Sequence, residues 1–141
     1  MPSSAVHTFT DPDDYAAAVR GQQAEVTILG RGQFTAKVTR IDMHRLWMLR
    51  LSDNLPRLGH SGLSASMKER AVVSFRTASG PPLLWSGSEM PSTSIVRHSK
   101  GDSSFQRSAG SFSWASMSLP VEELAFLGAI SGCELTPRNR R

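Results

Sequence analysis

Between residues 25 and 119 the chain is built almost entirely from short segments rich in β-branched and aromatic residues, each soon broken by Gly, Pro, Ser, Asn or Asp. Such punctuation is the mark of strands joined by turns. The candidate strands are 25–29, 33–39, 41–51, 70–77, 83–86, 94–98, 104–107 and 112–119. About eight short strands predict a mainly β domain, either a sandwich or a jelly roll. Gly30-Arg31-Gly32 and Ala109-Gly110-Ser111 read as hairpin turns, and Gly80-Pro81-Pro82 stops one strand before Leu83-Leu84-Trp85 begins another. Phe34, Ala36 and Val38 share one strand face, whereas Ile41, Met43, Trp47, Leu49 and Leu51 have the opposite parity. A bulge or break near Arg40 would reconcile the two. The polar, Gly- and Ser-containing stretch 52–69 is expected to loop, as a surface connection or as a cover over a pocket.

Helical signals flank the strands. Asp11 is placed to accept from open backbone amides, Pro12 suits the first helical position, and Asp13 and Asp14 meet the positive end of the helix dipole. A helix of about ten residues ending at Gly21 would turn Tyr15, Ala18 and Val19 inward. After Leu119, Pro120 and the first-turn acids Glu122 and Glu123 open a second helix that Gly132 stops. Its apolar residues surround it: Val121, Leu124, Ala125 and Gly128 mark one face, and Leu127 and Ile130 extend another. That is more apolar surface than one sheet needs, so Val121, Leu124 and Leu127 are candidates for a homodimer seam or for packing on the parent domain.

A chain of 141 residues encloses one core, and residues 1–133 are expected to form it, with 134–141 as a tail or linker. No run of about 18 apolar residues occurs, which rules out a membrane-spanning helix. Met-Pro-Ser-Ser at the start has neither the basic region nor the apolar stretch of a secretory signal, so a cytoplasmic location is expected. Cys133 is alone, which fits a reducing compartment and removes thiolate metal clusters from consideration. The net charge of +4 invites a nucleic-acid reading, but three of the 16 basic residues, Arg138, Arg140 and Arg141, lie in the last four positions. Without them, 13 basic residues face 12 acidic ones, so the body is nearly neutral.

Catalytic patterns are absent. There is no Gly-x-Ser-x-Gly elbow, Gly30-x-Gly32 lacks the third glycine of a phosphate loop, and no cofactor is implied. Metal-binding cupins carry a His-x-His pair followed by a Glu and a distant His. The nearest substitute is Asp42-x-His44 with His98, the site of an alternative reading as a small metal-dependent cupin enzyme. Arg45 falls on the apolar parity between Met43 and Trp47, so it should meet an acid such as Asp42 or Asp53, or an anionic ligand. Trp47, Trp85 and Trp114 offer large apolar area and an N–H donor each. Together with Arg45 and His98 they form the candidate ligand pocket, against the plainer reading in which the tryptophans are core.

Four segments carry a resemblance in order along the chain: Phe9-x-Asp11-Pro12-Asp13-Asp14-Tyr15, Thr39-Arg40-Ile41-Asp42-Met43-His44-Arg45-Leu46-Trp47, Gly80-Pro81-Pro82-Leu83-Leu84-Trp85-Ser86-Gly87, and Met117-Ser118-Leu119-Pro120 before an acidic helix start. With these the sequence resembles the N-terminal domain of the bacterial AraC-family transcriptional regulators over nearly its whole length. The resemblance implies a cupin-like jelly roll, or double-stranded β-helix, with a short N-terminal and a C-terminal helix. It also implies a small-molecule effector, a homodimer, and contact with DNA only through helix-turn-helix units that no segment here supplies. Such a domain senses and pairs without catalysing. A module that only dimerises, its barrel filled with side chains, is the third reading.

Overall fold

The computed structural model describes residues 2–19, 22–63, 67, 69–78, 80, 83–91, 94–98 and 103–123. The protein is mainly β. Its strands are β1 (Ser3–Phe9), β2 (Gln22–Ile28), β3 (Ala36–Met43), β4 (Leu46–Asp53), β5 (Arg57–Leu63), β6 (Arg70–Arg76), β7 (Leu83–Trp85), β8 (Ser88–Met90), β9 (Ile95–His98), β10 (Ser103–Ser108) and β11 (Phe112–Pro120). One helix, α1 (Pro12–Ala17), lies between β1 and β2. The strands form two antiparallel sheets, β1-β3-β4-β11-β6-β9 and β2-β5-β10-β7-β8.

Within this pattern β4 pairs with β11, β5 with β10, β6 with β9 and β7 with β8. The pairs nest from the outside in, as though one long hairpin had been wrapped so that its successive pairs fall alternately in the two sheets. β1 and β3 extend one sheet on the β4 side, and β2 extends the other beside β5. A single hydrophobic cluster joins the sheets: Ala36, Val38, Leu49, Leu51, Phe112 and Trp114 from one and Leu83 and Met90 from the other. Fully burying a side chain such as Leu83 or Val38 contributes about 1.5–3 kcal/mol.

Several sequence expectations change at this level. The hairpin β3–β4 turns at His44-Arg45, so partners such as Val38 and Leu51, or Ala36 and Asp53, pair across it. Even positions of β3 thereby share a face with odd positions of β4, which places Trp47, Leu49 and Leu51 with Val38 without a bulge at Arg40, while Ile41 and Met43 keep the opposite face, Met43 45% exposed. His44 takes a positive φ of 56° in that turn. Gly30–Gly32 and Ala109–Ser111 are not hairpin turns, because β2 and β3, like β10 and β11, belong to different sheets. A second two-residue turn is Ser86-Gly87, whose φ values of 48° and 85° match the left-handed pair of a tight hairpin. Part of the expected loop 52–69 is strand β5, and β1 and β8 are strands where none was predicted.

Helix α1 forms as its sequence indicates. The Asp11 carboxylate accepts from the amides of Asp13 (2.8 Å) and Asp14 (3.4 Å), and Pro12 occupies the first turn. It is shorter than expected, and it delivers Tyr15 and Val19 to the core, with Ala18 packed against it. At the other end Val121–Glu123 begin a helical turn. The rest of the expected second helix, with Leu124 and Leu127, and the tail 134–141 lie outside the described residues. No described helix is long and apolar enough to cross a membrane.

Candidate ligand-binding site

Two strands of the second sheet, β5 and β10, alternate in the opposite sense to their hydropathy. Inward-facing positions of β10 are Ser104, Gln106 and Ser108, while Phe105 is 56% exposed. On β5 the inward set includes Arg57 and Gly59, while Leu58 is 41% exposed. A sheet that places small polar groups inside and large apolar ones outside leaves space against its neighbour, where a packed core would hold Val, Ile or Leu.

Register explains where that space lies. Val26, Gly59, Gln106 and Trp85 occupy one cross-strand row. Its centre has no side chain: a Cβ on Gly59 would come 2.7 Å from Arg57 Nη1 and 2.9 Å from Gln106 Oε1. Gln106 is held in that orientation because its Nε2 donates to Ser104 Oγ (2.7 Å) and Ser61 Oγ (3.1 Å). Across the gap stands an aromatic run. Trp114 stacks on Phe112 with ring centres 5.6 Å apart and on Trp85 at 5.4 Å, which ties the two sheets together, and His98 lies 5.7 Å from Trp85. His98 Nε2 and Ser74 Oγ share a 2.8 Å hydrogen bond, and Ser74 Oγ is 2.7 Å from Ser116 Oγ. Between these walls is a partly open cavity, lined also by Tyr15, Val19 and Leu51.

One end of the cavity carries the buried charges. Arg57 Nε is 2.9 Å from Asp53 Oδ2, and the side chains are 9% and 0% exposed. Tyr15 donates its hydroxyl to the same oxygen at 3.1 Å. Burial pushes the Asp53 pKa above the usual carboxylate value, against the opposing pull of Arg57. Asp53 Oδ1 is buried with no hydrogen-bond partner among the described residues. Arg57 Cζ lies 5.1 Å from the centre of the Phe112 ring, a cation–π contact at the edge of the aromatic run.

The Tyr15 phenol is held well above its ordinary pKa of 10.0, first by burial and then by the Asp53 charge. A folded-state value above the unfolded one means that the folded protein keeps this proton while the unfolded chain releases it. Stability is therefore expected to fall as pH rises above about 10. Urea titrations across that range should show the decline in the wild type and a shallower one in Tyr15→Phe.

Of the residues singled out from sequence, Trp85, His98 and Trp114 meet in this cavity. Arg45 does not: it sits in the β3–β4 turn, its side chain 55% exposed and 3.7 Å from Glu123. Trp47 lines a separate shallow hollow with Met67, Val72 and Ser118. There Arg70 lies 3.5 Å over its ring, held by bonds to Ser118 Oγ (3.1 Å) and Ser118 O (3.0 Å). Asp42, His44 and His98 are not assembled, because β4, β11 and β6 separate β3 from β9. At about 4.8 Å per strand that is roughly 19 Å along the sheet. Among the described residues no group of three or more His, Cys, Asp or Glu could hold a metal ion. Val121 is 45% exposed.

Sequence reasoning missed Arg57, Gly59, Gln106 and the Tyr15–Asp53 contact. The available signal was the alternation Arg57-x-Gly59-x-Ser61, polar and small at every second position, which marks an inner wall only if the interior is hollow. No family model, curated protein or solved structure matches this chain.

Proposed function

We propose that this chain is a ligand-sensing and dimerisation domain of the type that precedes the DNA-binding units of AraC-family regulators, and that a small organic effector occupies the cavity between its sheets. The nested pairing of β4 to β11 supports a cupin-like jelly roll, since an eight-stranded roll is a long hairpin distributed over two sheets. The observation that carries the reading is the reversed alternation of β5 and β10, which turns Gly59, Ser104 and Gln106 toward the aromatic run. A site of this make-up binds and orients a ligand. Its effect on attached DNA-binding units would come from differential affinity for two arrangements of the domain, with the exposed Val121 and the apolar residues that follow it as the pairing surface.

A thermal-shift screen of small organic molecules tests this reading, with Trp85→Ala as control. A ligand at a hundred times its Kd raises stability by about 2.7 kcal/mol, and the shift should vanish in the variant. If a chemically broad collection of small acids, amides, sugars and nucleosides produces no shift, the chain is a module that only dimerises.

A further inference from the structure

We infer that the cavity takes a planar aromatic monocarboxylate, its carboxyl group on Arg57 above Gly59 and its ring against Trp85 and Trp114. This inference rests on the ligand-sensing reading and specifies its effector.

Arg57 is the first reason. A guanidinium carries five donors, and in Arg57 the Nε side faces Asp53 while Nη1 stands over the Cα of Gly59 in the cavity. No described residue accepts a hydrogen bond from either Nη. Donors that face a partly open cavity are available to an entering acceptor, and a carboxylate matches the fork best. Gly59 is the second reason. Any side chain there would occupy the place where an acceptor must approach Nη1, and the neighbouring Gln106 Oε1 excludes a second negative centre while accepting from a hydroxyl on the ligand.

The aromatic run supplies the third. From Arg57 the wall proceeds through Phe112 and Trp114 to Trp85, an apolar run of rings whose first centre lies 5.1 Å from the guanidinium carbon. A benzoate- or cinnamate-sized ligand spans that distance with its ring on the tryptophans. One alternative fits less well. A phosphate ester brings two negative charges to a guanidinium that already faces Asp53.

The test is calorimetric and fluorescence titration of the intact chain with benzoate, trans-cinnamate and indole-3-acetate, each beside its primary carboxamide. At least one acid should bind about tenfold or more tightly than its amide, the difference between a charge-assisted and a neutral contact. Arg57→Leu should abolish the preference while changing amide affinity less than about threefold. Gly59→Ala meets only the ends of two flexible side chains, so it should fold normally and weaken acid binding by about fivefold or more. It carries the test if Arg57→Leu fails to fold. Equal binding of acid and amide, or an acid preference that survives both substitutions, overturns the inference while leaving the ligand-sensing reading intact. Failure of all three acids overturns it as well. The ligand-sensing reading then stands if a neutral compound from the broad screen binds, and falls with it if none does.

Discussion

Asp53→Ala is expected to destabilise the protein by about 3–5 kcal/mol, the loss that follows when one partner of a buried ion pair is removed. The carboxylate is fully enclosed, and its removal leaves the Arg57 guanidinium without its counter-charge and the Tyr15 hydroxyl without its acceptor. A domain of this size has roughly 5–15 kcal/mol in total, so urea unfolding should show a midpoint sharply reduced at unchanged slope. The pair itself is not strongly stabilising. Burial holds the Asp53 pKa above its ordinary 3.8 despite Arg57, so its ionised form is less favoured in the folded protein than in water. The sign follows: stability linked to this carboxyl is fullest below the ordinary value and declines as pH rises through the folded-state one. The double variant Asp53→Leu with Arg57→Leu should recover most of the loss, because replacing both charges by apolar groups is often neutral or stabilising. A double variant as unstable as Asp53→Ala would show that Tyr15 and packing, not charge, dominate the site.

Trp114→Ala should have a comparable effect, about 3–5 kcal/mol, as large aromatic truncations in cores do. Trp114 is buried, shares a cross-strand row with Leu51 and Arg76, and stacks on Phe112 within its own sheet and on Trp85 of the other. The loss has two parts, the transfer of the indole back to water and the void left behind, which opens directly into the existing cavity. Trp114→Phe keeps part of the stack and should lose less than about half as much. Equilibrium unfolding by circular dichroism measures both. A cost under about 1 kcal/mol for the alanine variant would mean that the cavity, rather than Trp85 and Phe112, already surrounds the ring.

The parts of the fold legible in the sequence are those whose cause is local. Asp11 and Pro12 announce α1 because the amides that Asp11 caps are two and three residues away. The β-branched and aromatic runs of β3, β4, β6, β7, β9 and β11 carry their own preference for extended backbone. By contrast, β1 is exposed along nearly its whole length and holds its place by pairing with β3, so its composition carries no inward face. β5 is hidden for the opposite reason: its inner face is Arg57 and Gly59, which read as loop residues.

The candidate site divides along the same line. Trp85 and Trp114 are conspicuous in any sequence reading because of their size, but their stacking depends on two sheets facing each other. Arg45 shares its sequence parity with the apolar Met43 and Trp47, but the turn that begins at His44 carries it to the surface. Nothing near Arg57 announces its role. The acid it meets is four residues back, across the corner between β4 and β5, and the glycine that gives its Nη1 room is two residues on.

What the sequence determined unaided was a β-rich chain opened by a capped helix, with tryptophans in reserve for a cavity, since backbone preference and capping act over a few residues. Only the tertiary structure decided which faces turn inward, and with that the location of the cavity and the cation beside it. Inwardness depends on cross-sheet register and on the space left by small residues, and both are set by partners up to several dozen positions away, such as Gly59 with Gln106.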